Sequence, residues 1–471
     1  MSTILTLDLG TTYFKAALFS EHGELLVLTR QRPPIKHRHE GWCELDPAEF
    51  LRTVYRAVAE LARVRPGGLR DVVALSFATQ TNSFLLLDKY DAPLTPIVLW
   101  PDGRAADSDR GWRDLGATPD FQEITGVPAL TQEFMIAKLL WLQAHDPRRC
   151  SRARRLCLLS DYLTLRLTGR HVTEAGAAGL TGLIDIHRLE WWPAITQRVH
   201  VDTLKLPRIE RAGADLGPLL PEAANELGLP QSCRFVVGCL DQYAGAIGTG
   251  NVLPGRLTET TGTVLATVRC GDKFVPRPGA NIIHGPGFAP GIYYQMVFGN
   301  TSANLLEWLR ESLPDRPDFA ALDRLAANVP PGSEGLQASA PPSGQCRAIF
   351  IGRTERHTTA HAARAVLEAV AFALADQVEH LCGQDHPTLI RSSGGAARSN
   401  LWLQIKANVL ETPFAATLCP EPTSLGAALL AIHALTGRPL RDLAADIRLG
   451  APVTPNAEGP IYRTIRPCTR V

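Results

Sequence analysis

Twice in this chain of 471 residues a run of strand length stops at a Gly/Thr turn and resumes as a second run. Residues 4–9 lead into Gly10-Thr11-Thr12 and on to residues 14–19; residues 256–260 lead into Thr261-Gly262-Thr263 and on to residues 264–268. Short glycine-containing turns between such runs predict antiparallel strand pairs. The surrounding residues do not repeat, so the layout alone suggests one fold built twice. Amphipathic helices separate the strands. Asp46-Pro47-Ala48-Glu49 supplies an N-cap, a first-turn proline and a first-turn carboxylate. Phe50, Leu51, Val54, Val58 and Leu61 then recur at helical spacing up to Pro66-Gly67-Gly68. Strands alternating with such helices limit the chain to a layered α/β fold.

The same reading extends along the chain. Further strands are expected at residues 24–29, 72–77, 84–88, 235–237 and 388–391. Helices are expected at 136–144, 160–167, 361–381, 399–410 and 424–435, the last closed by Gly437. From Pro330-Pro331-Gly332 to Pro341-Pro342-Ser343-Gly344 the composition is that of a loop. The expected division is an N-terminal domain over 1–249, a C-terminal domain over 250–440, and a tail over 441–471 lying as a surface strap. Lys and Arg total 48 against 47 Asp and Glu. That balance leaves no surplus of positive charge for nucleic acid or an anionic membrane. No run approaches the ~20 apolar residues that span a bilayer. The first residues lack the basic flank of a secretory signal. Ten singly scattered cysteines, without a Cys-x-x-Cys pair, read as reduced thiols of a cytoplasmic protein.

Four segments carry candidate chemistry. Asp8 ends a strand just before Gly10-Thr11-Thr12, where exposed N–H groups and two hydroxyls form an anion cradle. A carboxylate beside phosphates requires a cation between them, and Mg²⁺ suits oxygen ligands. Lys15 on the next strand adds positive charge. The other reading of this segment is a plain hairpin with a polar turn. Thr260-Thr261-Gly262-Thr263 is a second turn of the same kind. Ser392-Ser393-Gly394-Gly395-Ala396-Ala397-Arg398-Ser399 joins a strand to a helix. Its missing side chains let a flat ring lie on backbone, or serve only a tight turn; it is not the dinucleotide fingerprint, which disfavours an NAD enzyme. Asp241 follows an apolar strand and opens a helix. It is either an N-cap or, held ionised at pH 7 by the helix N-terminus, a base for a substrate hydroxyl.

In this order the segments closely resemble the FGGY carbohydrate kinase family, from Leu5 to about Gly437. Asp8-Leu9-Gly10-Thr11-Thr12 with Lys15 is similar to the family's first phosphate motif, and Gly41-Trp42-Cys43-Glu44-Leu45-Asp46-Pro47 to its Gly-Trp-x-Glu-x-(Asp/Asn)-Pro segment. Trp100-Pro101-Asp102-Gly103-Arg104 resembles the sugar-side stretch, and Gly238-Cys239-Leu240-Asp241-Gln242 the segment with the catalytic base. Thr261-Gly262-Thr263 resembles the second phosphate motif, and Gly394-Gly395-Ala396-Ala397-Arg398-Ser399 the adenosine motif. Overall the chain is most like xylulokinases. It departs from them at Thr79-Gln80-Thr81-Asn82, where they carry Gly-Gln-Met-His and glycerol kinases carry Gln-Arg-Glu.

The resemblance implies a two-domain actin/hexokinase-like (ribonuclease H-like) ATPase fold with an interdomain cleft. It implies transfer of the γ-phosphoryl of ATP to a hydroxyl of a sugar or polyol, a pentulose first, with Asp241 as general base and Mg²⁺ held by Asp8 and Asp241. Gly10, Thr11, Thr12, Lys15, Thr261, Gly262 and Thr263 would position phosphates. Gly395, Ala396, Ser399 and Asn400 would contact adenosine. Gln80, Thr81, Asn82, Trp100, Asp102, Arg104 and Gln242 would line the sugar pocket. No nucleic acid or membrane partner is implied, and a homodimer is a reasonable assembly for such a kinase. The rival from another class is a non-catalytic ATP-binding actin-like sensor or scaffold; the presence of Asp241 favours an enzyme.

Overall fold

The first strand, Thr3–Leu9, is buried along its whole length. Alternation along it sends Leu5, Leu7 and Leu9 to one face, where they share a core with Phe50, Val54, Val58 and Leu61 of helix Pro47–Val64. Each such side chain contributes ~1.5–3 kcal/mol when fully buried. The helix begins as its sequence dictates: Asp46 Oδ1 accepts the N–H groups of Ala48 and Glu49, with Pro47 in the first turn. On either side of the first strand lie Phe14–Ser20, antiparallel, and Val72–Thr79, parallel.

The computed structural model describes residues 2–106, 111–118, 120–276, 280–341 and 347–466. The chain forms two compact units. One takes Met1–Val252, Asp272–Tyr294 and Glu421–Asp446; the other takes Leu253–Gly271, Gln295–Pro420 and Ile447–Val471.

In the first unit a seven-stranded sheet runs Asp215–Pro218, Arg234–Val236, Val72–Thr79, Thr3–Leu9, Phe14–Ser20, Leu25–Gln31, with Cys239–Leu240 also paired to Val72–Thr79. A smaller four-stranded sheet, Glu44–Leu45, Ile97–Val98, Phe84–Leu87, Arg155–Leu158, carries the loop that begins at Trp100. Helix Asp241–Gly248 packs on helix Pro422–Thr436 at backbone contact. A Cβ on Gly248 would stand 1.8 Å from Pro422 O, and one on Gly426 1.9 Å from Ala244 O. The small residues of the first helix exist for that approach.

The second unit repeats the strand plan. Leu257–Thr261 pairs antiparallel with Leu265–Gly271 and parallel with Ile390–Ser393, which pairs parallel with Phe414–Ala416. Helices Thr359–Cys382 and Asn400–Leu410 pack in this unit. Two expectations need correction. The proline- and glycine-rich stretch is not all loop: Gln337–Ser339 pairs with Ile349–Ile351, while Pro342-Ser343-Gly344 lie outside the described residues. The tail is no mere strap. Val453 bridges Phe414, and helix Gly459–Ile465 buries Tyr462 to 2% exposure. The Tyr462 hydroxyl accepts from Arg364 (2.6 Å) and donates to Glu368 (3.1 Å).

Candidate active site

Parallel pairing sets three strand ends level in the first unit. Leu9 lies opposite Thr79, and Thr79 opposite Leu240. The residues that follow, Gly10, Gln80 and Asp241, therefore emerge side by side at the C-terminal edge of the sheet. Open α/β sheets bind ligands at that edge. Asp8 stands one step back, opposite Lys15 on one side and Ala78 on the other.

Asp8 perturbs Asp241. Burial pushes Asp241 up to about 7, and the Asp8 charge adds to this; the Gln242 N–H on Oδ1 (2.7 Å) and Lys15 pull the other way. The expectation that the helix N-terminus keeps Asp241 ionised at pH 7 is corrected: desolvation and a like charge outweigh the dipole. Burial also raises Asp8, against the attraction of Lys15 at 3.1 Å. Lys15 is not free for phosphate alone, because its ammonium also binds Glu421 at 2.7 Å. Burial works against the charged form of Lys15, but the two carboxylates outweigh it and raise its pKa. Beneath Asp241, the buried Glu174 accepts the N–H groups of Leu240 (3.2 Å), Gly176 (2.7 Å) and Ala177 (2.8 Å). It thereby fixes the backbone from which Asp241 projects.

The predicted sugar-side residues are brought to this edge, but most are already bonded. Gln80 donates to Leu9 O (3.3 Å) and accepts from Ser83 (2.9 Å). Thr81 donates to Ala177 O (2.8 Å), and Asn82, at φ 60°, bridges Leu180 O and Met135 N. Trp100 is half-buried and its indole N–H donates to the Thr11 hydroxyl (2.8 Å), tying the loop that begins at Trp100 to the Gly10-Thr11-Thr12 turn. Asp102 is 1% exposed and its oxygens are occupied by the Arg104 side chain and the N–H groups of Arg104 and Cys43. Arg104 also binds Glu44 (2.7 Å) and lies over the Trp42 ring. These two residues brace the loop. Buried Lys138 completes the brace by donating to the carbonyls of Leu99, Trp100 and Glu133; desolvation brings its pKa down to about 7. Gln242 is half-buried beside Asp241.

The second unit shows the matching edge. Thr260 lies opposite Ser393, so Thr261-Gly262 and Gly394 leave the sheet together. Gly394 has φ 83°, and a Cβ there would meet Thr261 O at 2.8 Å, so only glycine fits. The Thr261 side chain is engaged within its own unit. Its hydroxyl donates to the fully buried Glu259 (2.6 Å) and accepts from Lys406 (2.8 Å), while Gly262 is half-buried and Thr263 exposed. Lys406 pairs with Glu259 at 2.8 Å, both side chains at 0% exposure. Gly395 and Asn400 are exposed, Ala396 is buried, and the Ser399 hydroxyl caps its helix by accepting Trp402 N–H (3.0 Å).

Two domain families cover nearly all of this architecture. The N-terminal domain of the FGGY family of carbohydrate kinases matches residues 3–248, and its C-terminal domain matches residues 260–435. The chain belongs to the FGGY family of carbohydrate kinases. It is 30% identical over 413 residues to the xylulose kinase of Escherichia coli, covering 86% of this chain and 84% of that one. It is 31% identical over 464 residues to the glycerol kinase of Citrifermentans bemidjiense, covering 92% and 90%. The crystal structure of xylulose kinase from Rhodospirillum rubrum superposes with a TM-score of 0.89 at 27% identity, covering 98% and 96%.

FGGY kinases are ATP-dependent phosphotransferases acting on carbohydrate hydroxyls, and the expected actin/hexokinase-like α/β fold is the one observed. Among the described residues, no helix is long and apolar enough to cross a membrane. Reading the sequence missed Glu421, Glu174, Lys138, Glu259 and Lys406. Glu421 is 406 residues from Lys15, and no local pattern marks that pairing. Lys406 did carry a signal: a lysine among Trp402, Leu403, Ile405 and Ala407 on a buried helix needs a buried partner.

Proposed function

We propose that Asp241 is the general base of an ATP-dependent carbohydrate kinase. One observation carries this reading: the strand register that sets Asp241 level with Gly10 and Gln80, with Asp8 one step behind. The acceptor hydroxyl gives its proton to Asp241 as its oxygen bonds to the γ-phosphorus, and the bond to the β-phosphate oxygen breaks to release ADP. A base with a pKa near 7 is matched to that transfer at neutral pH. Backbone N–H groups at Gly10 and Gly262, with Thr12 and Thr263, hold phosphates. Gly395 and Asn400 contact adenosine.

The residues fit Mg²⁺. Asp8 and Asp241 are acidic oxygen donors, and the Asp8 charge adds to the rise of Asp241, an excess of negative charge a hard cation relieves. Asp8, with Asp241, would hold it; when bound it neutralises phosphate charge. Among the described residues no group of three or more His, Cys, Asp and Glu forms a protein cage, which suits an ion bound largely through water and phosphate.

The acceptor is polyhydroxylated. A pentulose is supported by the likeness to xylulose kinases, while Thr81-Asn82 departs from both the xylulokinase and the glycerol kinase wording. An ADP-release screen over ketoses, aldoses, polyols and sugar acids tests the proposal. Acceptor-dependent ADP with a phosphorylated product supports it; an ATP response with no product across the panel would favour the sensor reading.

A further inference from the structure

Glu174 is 3% exposed, and its carboxylate accepts three backbone N–H groups from two separate segments. Two belong to Gly176 and Ala177, in the first turn of helix Ala175–Gly179, which Glu174 caps. The third belongs to Leu240, the residue before Asp241. Capping needs only the first two. The third joins that helix to the strand end that carries Asp241. The same helix is also tied to the turn after Val72–Thr79. The Thr81 hydroxyl donates to Ala177 O (2.8 Å), and Asn82 Nδ2 donates to Leu180 O (3.1 Å), just past the helix. Leu240 in turn lies opposite Thr79, two residues before Thr81. The contacts therefore close a ring: Thr79, Thr81, Ala177, Glu174, Leu240 and back to Thr79. Strand pairing sets Leu240 level with Thr79, and the Glu174 link fixes how far Leu240 stands from the helix that holds Thr81. Gly176 leaves room for it, since a Cβ there would come within 3.1 Å of Glu174 Oε1. Only a carboxylate accepts at both of its positions; an amide presents an NH₂ at one of them.

We propose that Glu174 is a positioning residue for phosphoryl transfer: it holds Asp241 at a set distance from the Thr81-Asn82 turn, and so from the acceptor hydroxyl. This rests on the kinase reading above and adds to it a residue that acts only through the backbone of Leu240 and Ala177. The test measures single turnover per folded protein at saturating ATP and acceptor. It uses Glu174→Gln and Glu174→Asp, each alone and combined with Asp241→Asn. Glu174→Gln should lose about 10–100-fold in rate, the effect of a base misplaced by ~1 Å, with the KM for ATP moving less than about twofold. Glu174→Asp keeps the charge and the helix cap but is one methylene shorter, and should lose about 3–10-fold. Both losses should shrink below about twofold in the Asp241→Asn background, where no base is left to misplace. Wild-type rates in both variants overturn the role, as does a wild-type rate in Glu174→Asp where Glu174→Gln does not fold. A loss of the same size in the Asp241→Asn background also overturns it, because the effect would then lie elsewhere than at the base. Each of these leaves the kinase reading standing. Full turnover by Asp241→Asn itself, or no ADP release from wild type with any acceptor, overturns that reading and this role with it.

Discussion

Asp241 shows how two local influences compete at one residue. Its place at a helix start favours the charged form, yet burial and the Asp8 carboxylate win and raise it to about 7. A base must be unprotonated to act. We therefore expect kcat/KM to rise with pH, bend near 7 and level off above it; a profile flat from pH 5.5 to 8.5 would contradict the assignment. The stability consequence has the opposite sign. An acid raised in the folded state from 3.8 to about 7 favours the protonated fold, so its contribution is lost as pH climbs through that interval. Replacing Asp241 by Asn should thus raise the urea midpoint at pH 8 and change it little at pH 4. The sequence showed this residue's position and chemistry, but not its proton affinity. That depends on Asp8, which is 233 positions away and is brought near only by pairing both segments to one central strand.

At the scale of elements, the strand–turn–strand pairs were legible because each is local: a short run, a Gly/Thr turn, another run. Helix Asn400–Leu410 was legible from its spacing, but its buried Lys406 was not explained until Glu259 and Thr261 stood opposite it. That pair pins the turn of the second unit from below and joins Leu257–Thr261 to the helix. Lys406→Met alone should cost about 3–5 kcal/mol, since it strands a buried carboxylate. The double variant Glu259→Gln with Lys406→Met should recover most of that loss in urea unfolding. Additive losses would show that the two charges do not act as a pair. The Trp100–Thr11 hydrogen bond belongs to this scale too, because it fastens one loop to another across 89 positions that no periodicity connects.

For the whole molecule, the sequence suggested one plan used twice, and each sheet has it: an antiparallel hairpin followed by parallel neighbours. What the linear order hid is that each unit is discontinuous in sequence, with Glu421–Asp446 in the first and Ile447–Val471 in the second. The tail therefore matters to stability. Ending the chain at residue 446 removes Tyr462 from Arg364 and Glu368, and we expect the second unit to become protease-sensitive while Tyr462→Phe is only mildly affected. Titration also sums over the molecule. Asp161, Glu174 and Asp241 are raised by burial to about 7, so their stability is lost as pH rises toward 7. Lys138 is lowered by burial to about 7, so its penalty fades as pH rises from 7 toward 10.5. Stability should pass through a shallow minimum near neutrality, measurable as urea midpoints at pH 5.5, 7 and 9.

The proton acceptor decides the mechanism, and Asp241→Asn reads it most directly. In single turnover with the best acceptor, the predicted result is a rate loss of ~10²–10⁴ in a folded variant whose ATP affinity changes little. Turnover near that of wild type would contradict the claim.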